Sequence, residues 1–171
     1  NAAVNSESAV FTIIPTPTIN TIQSDNTSGA SNFDGSIVKT SGVVTGLASK
    51  AYFLQDGEGA WNGVYVYLNA TPGVAVGDNV TIEGEVDEYY GLTEIKTLTS
   101  TVVNSTGNAL PAPVTITTGQ LTEQYEGVLV KIVNATVITG NDSYNVYTMN
   151  DGSGVVSGDD DVYKYTAVAG E

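Results

Sequence analysis

The stretch "AYFLQDGEGAWNGVYVY" (residues 51–67) reads as an aromatic strand, an Asp-Gly-x-Gly turn with a polar loop, and a second strand ending Val-Tyr-x-Tyr. Residues 145–165, "NVYTMNDGSGVVSGDDDVYKY", say nearly the same thing again. The echo extends to both sides: "VKTSGVVTG" (38–46) returns as "VKIVNATVITG" (130–140), "DGEG" (56–59) as "DGSG" (151–154), "VYVY" (64–67) as "VYKY" (162–165) and "VGD" (76–78) as "AGE" (169–171). Four matches in one order, at offsets between 92 and 98, identify an internal duplication. The two extra residues in 130–140 preserve which side chains face inward, because strand side chains alternate with a period of two.

Within the first copy, five segments carry strand patterning: 36–46, 51–56, 63–68, 79–90 and 92–103. Gly42 and Gly84 interrupt strand interiors, where glycine marks a bulge or a sharp bend. Five short strands with a bent first one predict an all-β chain built from small OB-type barrels. The expected organisation is an N-terminal extension strand (1–18), a first barrel (19–107) and a second, incomplete barrel (108–171). By the repeat arithmetic the second copy lacks its last two strands. A short helical turn with Thr118 as cap is expected within 117–127.

A barrel missing two strands exposes unpaired backbone groups and half a core. Two readings follow: the chain is an excerpt of a longer protein, or a spare strand fills the gap. The apolar run Val10, Phe11, Ile13 and Ile14, ended by Pro15 and Pro17, is the candidate strand, from its own chain or a neighbouring copy. Self-association into a filament or surface layer is the expected consequence.

Composition narrows the chemistry. There are 19 acidic residues against 5 Lys, with no Arg, His or Cys, and the net charge is −14. Imidazole bases, thiolate nucleophiles, ordinary zinc sites and bidentate guanidinium clamps are all excluded. The charge repels phosphate backbones, so nucleic acid is a disfavoured partner. Carboxylates, hydroxyls and carbonyls remain, an inventory that suits Ca²⁺ as the one possible cofactor. No apolar run is long enough to span a bilayer. The chain opens without Met, and six Asn-x-Ser/Thr sequons occur, at Asn26, Asn69, Asn79, Asn104, Asn134 and Asn141. An extracellular or cell-surface location is expected.

Two constellations stand out. Asp151, Asp159, Asp160 and Asp161, with Asp56 and Glu58 in the sister loop, could coordinate Ca²⁺ on glycine-flexed turns; the competing reading is a solvated turn. Tyr52, Trp61, Tyr65 and Tyr67 lie on the second and third strands, the face that OB folds use for ligands. Core packing or a protein contact is the competing reading there, ahead of nucleic acid and carbohydrate. Asp87, Glu88 and Glu94 are read as a solvated hairpin rather than a hydrolytic pair. No catalytic residue is expected.

The pieces "YFLQD" (52–56), "VGDNVTIEGEVDEYYGLTEI" (76–95) and "YEGVLVKI" (125–132) resemble the OB-fold region of large secreted bacterial multidomain nucleases and related cell-surface proteins. The resemblance runs from residue 19 to 171 and implies an OB fold, an extracellular setting and two further strands beyond the equivalent of Glu171. Catalysis in that family belongs to a separate metal-dependent phosphodiesterase domain with essential His, which this chain lacks. The resemblance therefore implies no activity here. The function expected is a non-catalytic extracellular assembly protein; the alternative is an accessory nucleic-acid- or carbohydrate-binding module.

Overall fold

The computed structural model describes residues 13–24 and 29–171. Five strands form the first unit: β1 (Ile37–Ala48), β2 (Ala51–Gln55), β3 (Gly63–Tyr67), β4 (Asn79–Tyr89) and β5 (Leu92–Ser105). They close in the order β1-β2-β3-β5-β4, with β4 returning to β1. Every pairing is antiparallel except β3 with β5.

β1 reaches both neighbours by bending. Its first half, Ile37 to Val43, pairs with β4, and Val43 to Ala48 pairs with β2. Gly42 sits at the changeover, where a Cβ would come within 2.6 Å of the Gln55 carbonyl oxygen. Gly84 marks one of the two β4–β5 register shifts, the one between Glu83 and Glu85, and a Cβ there would meet the Lys96 carbonyl at 2.7 Å. Both expected bends are present, and close backbone approach is their cause.

Val38, Val44, Tyr52, Leu54, Val64, Val66, Val80, Ile82, Val86 and Ile95 fill the barrel interior. A short helix, α1 (Ile19–Ser24), adds Ile19 and Ile22 to this core. Sequence patterning did not indicate it, because six residues carry less than two turns of periodicity. Thr18 Oγ1 accepts the Thr21 N–H, and the Asp56 carboxylate accepts the Ile19 N–H at 2.7 Å.

The second unit follows a short parallel pair, β6 (Val114–Thr115) with β7 (Val130–Lys131). The connection holds two 3-10 turns, at Thr118–Gln120 and Glu123–Tyr125, and the first is capped by Thr117 rather than Thr118. Then β8 (Thr136–Thr139), β9 (Tyr147–Asn150) and β10 (Val155–Gly158) form a three-stranded antiparallel sheet.

The duplication is literal at the level of hydrogen bonds. Val43, Val44 and Gly46 pair with Gln55, Leu54 and Phe53 across a bulge; Thr136, Val137 and Thr139 pair with Asn150, Met149 and Thr148 across the same bulge. Val44 exchanges backbone bonds with Gly77 and Asp78, as Val137 does with Gly170 and Glu171. The aspartate of each Asp-Gly-x-Gly turn caps a short helix: Asp56 holds Ile19, and Asp151 holds the Thr118 N–H (3.1 Å) and hydroxyl (2.7 Å).

One equivalence is corrected. Residues 162–165, read as the returning Val-Tyr-x-Tyr strand, form no strand. The counterpart of β3 is β10, with Val155 opposite Asn150 as Gly63 is opposite Gln55. The loop before β10 is three residues shorter than that before β3, so the "VYKY" letters fall past the strand. The single strand expected over 130–140 is likewise split into β7 and β8, with Asn134 at φ +58° between them. Of the expected assembly strand, Val10 and Phe11 lie outside the described residues. Ile13 and Ile14 belong to no strand, Ile13 is 79% exposed, and the next residue, Pro15, accepts the Lys39 N–H at 2.9 Å.

Candidate functional site

Strand alternation sorts the aromatics of β2 and β3. Tyr52 faces inward, is 1% exposed, and burial pushes its phenol up to about 12; it is core, not ligand face. Tyr65 and Tyr67 face outward, opposite in parity to buried Val64 and Val66. Tyr65 stands edge-on to Phe53, with ring centroids 5.3 Å apart. Trp61 sits apart from them in the β2–β3 loop at φ +69°, its N–H donating to the Gln124 carbonyl at 2.6 Å. Trp61 belongs to the junction between the two units.

Register brings Glu94 of β5 beside Tyr65 of β3 and opposite Asp87 of β4. With Tyr65, Tyr67, Tyr89 and Leu92, Glu94 lines a cleft of about 330 Å³. Glu94 is 5% exposed, and burial, then the Asp87 charge, raises its carboxyl above the ordinary range while Lys96 pulls it back. The Lys96 ammonium is engaged 2.7 Å from Asp87. Tyr65 titrates high as well, through burial and the charges of Glu94, Asp161 and Asp159. Glu94, read from the sequence as a solvated hairpin residue, is thus buried; its signal lay in the β3–β5 register, which sequence does not display.

The acidic loop approaches this same face. Val162, Gly46 and Phe53 line an apolar cavity of about 210 Å³ with Gly127, Val128 and Leu129. Asp160 is buried and paired with Lys164 at 3.1 Å, whereas Asp159 accepts the Asp161 N–H and both are exposed. Asp151 is occupied by Thr118 and Ser153, and these hydrogen bonds hold its carboxyl well below the usual range. Glu58 accepts the Ala112 N–H at 3.3 Å. The two Asp-Gly-x-Gly aspartates therefore face different short helices. Among the described residues no three carboxylates converge as a metal site would require.

The units meet through residues 124–129, within the "YEGVLVKI" piece and just before it. Leu129 N–H donates to Gln55 Oε1 at 2.7 Å, and Glu126 Oε2 accepts the Thr93 N–H at 3.0 Å. Burial pushes the Glu126 carboxyl up to about 7, against that hydrogen bond. A Cβ at Gly63 would collide with the Gly127 carbonyl, so the two backbones cross in contact.

No family model matches the chain. A stretch of 86 residues is 37% identical to Endonuclease YhcR of Bacillus subtilis (strain 168), covering 47% of this chain and 7% of that protein. Part of this chain is similar to a small part of a bacterial endonuclease. Among solved structures, the hypothetical protein ygiW from E. coli aligns over 54% of this chain and 99% of its own, at 20% identity and a TM-score of 0.38. Among the described residues no helix is long and apolar enough to cross a membrane.

Proposed function

We propose that this chain is a non-catalytic extracellular module that assembles by accepting a β-strand into its second unit. The observation supporting this is an open groove of about 430 Å³ lined by Val130, Ile132, Val137, Tyr147, Met149 and Tyr165. In the first unit the corresponding face is covered by β4 and β5. In the second, among the described residues, β10 has β9 on one side and no strand on the other. A largely apolar groove, with Asn134 and Glu171 in its wall, on a sheet that has an unpaired edge can accept an extended segment through backbone bonds and alternate side chains. The donor in this reading is the 10–14 segment of another copy, tethered to its own barrel at Pro15. The exposed Asp159 and Asp161 are the place where Ca²⁺ could adjust such a contact.

Removing residues 1–12 tests the reading, since Pro15 and α1 stay in place. Sedimentation of the full chain, with and without calcium, is expected to show assemblies that the shortened chain does not form. Added peptide of residues 1–14 should then bind the shortened chain. A monomer in both cases, with no peptide binding, rejects strand acceptance.

The similarity to a stretch of an endonuclease favours a second reading, an accessory module beside a catalytic domain. A salt-sensitive gel shift with single-stranded oligonucleotide would support it, against the net charge of −14.

A further inference from the structure

We propose that the cleft between Tyr65, Tyr67, Tyr89 and Leu92 binds an organic ammonium group, with Glu94 as its counter-ion. The first observation is the state of Glu94. It is 5% exposed and lines the cleft, among the described residues it accepts no hydrogen bond and forms no salt bridge, and Lys96, itself engaged by Asp87, offsets its charge only in part. A carboxylate that meets water only through the cleft, with no more than a partial counter-charge, gains from a ligand that neutralises it. The second observation is the wall: three tyrosines and a leucine give aromatic and alkyl surface around that one charge.

The alternatives fit less well. Phosphates and other anions meet Glu94 and Asp87, with Asp159 and Asp161 near Tyr65. A bare divalent cation wants six to eight oxygens, whereas the lining offers one carboxylate and phenols. A neutral sugar could stack on the rings but would leave the carboxylate uncompensated. An alkylammonium meets both demands at once. Its carbon stem packs on the rings, its charge is attracted by their π faces, and it closes on Glu94. Lys96, the neighbouring cation on β5, is held by Asp87 one strand away and leaves the cleft open. The proposal does not depend on how the second unit is completed.

The test uses the full chain, titration calorimetry and tyrosine fluorescence. Three probes carry the ammonium in different settings: choline, spermidine and Nα-acetyl-lysine amide. The control is 3,3-dimethyl-1-butanol, the uncharged carbon isostere of choline. Saturable binding of at least one ammonium probe is expected, with the control weaker by about tenfold or more. Preference for choline points to a quaternary headgroup, for the lysine derivative to a polypeptide side chain, and for spermidine to a free polyamine; each supports the site. Glu94→Gln should weaken the preferred probe by about tenfold or more, with a melting temperature that does not fall. Tyr89→Ala, at an exposed position, should weaken it by roughly threefold. Tyr144→Ala, 83% exposed in the second unit, should leave it unchanged. Absence of saturable binding by all three probes, equal binding of the uncharged isostere, or undiminished binding by Glu94→Gln overturns the proposal.

Discussion

Val44, Leu54 and Val64 are fully buried in the first unit, while their counterparts Val137, Met149 and Val156 occupy the same ladder positions in the second with less cover. Val137 is 8% exposed, and Met149 and Val156 are only half-buried. The bulge, the helix-capping aspartate and the turn at Ala75–Asp78 or Val168–Glu171 are common to both. What differs is β4 and β5, which fold over the first sheet and have no counterpart among the described residues of the second. Local hydrogen bonding thus reproduces a strand register without help, whereas burial depends on strands arriving from elsewhere.

Core truncation at matched positions probes that difference most strongly. Leu54→Ala should cost about 2–5 kcal/mol in denaturant unfolding, the range for a fully buried aliphatic side chain. Met149→Ala should cost roughly 1 kcal/mol, since much of its surface stays in water. If the second unit accepts a strand, the Met149 cost should rise in the assembled state, and equal costs in monomer and assembly would break the comparison's functional sense.

Next in size is the seam. Gly63→Ala drives a methyl into the Gly127 carbonyl and should destabilise by about 3 kcal/mol. Hydrogen exchange should report the separation of residues 124–129 from the barrel.

A smaller, pH-dependent effect belongs to Glu126. Its carboxyl is raised from 4.5 to about 7, so the folded state holds the proton more tightly than the unfolded one. Stability should therefore fall as pH rises from about 4.5 to about 7 and level off above. Glu126→Gln keeps an acceptor for Thr93 N–H. It should flatten that slope and raise stability above pH 7 by about 1 kcal/mol after solvent screening.

The finest contrast concerns the duplicated aspartates. Asp56 as a residue is exposed, but burial of its carboxylate beside α1 raises it, outweighing the Ile19 N–H. Asp151 is lowered by the Ser153 and Thr118 hydrogen bonds. Carboxyl ¹³C titration should place Asp56 above and Asp151 below the ordinary 3.8. Asp151 then adds stability that is lost only as pH falls through its depressed value, whereas Asp56 favours folding slightly in its protonated form. Identical titrations would mean that the two caps share one electrostatic environment and would remove this contrast.

Much of the first unit was legible. Period-two patterning located its five strands within a few residues, and Gly42 and Gly84 marked the changeover in β1 and one β4–β5 register shift, because each is a local property of the backbone. Letter matching was less faithful in the second unit. "VYKY" outscored the true strand Val155–Gly158 because identity counts side chains, while pairing counts residues along a hairpin. Tyr52 was assigned to a surface, although it alternates with Phe53 and shares the inward parity of Leu54.

By itself the amino-acid sequence determined the all-β class, the duplication and the excluded chemistries: alternation, repetition and the absence of His, Cys and Arg are all one-dimensional facts. The tertiary structure alone decided that the Asp-Gly-x-Gly aspartates cap helices, that Glu126 and Gly127 seal the two units together, and that Glu94 stands buried among tyrosines. Each of these depends on residues tens of positions apart meeting through a parallel β3–β5 pairing or a chain crossing, contacts that no local pattern encodes.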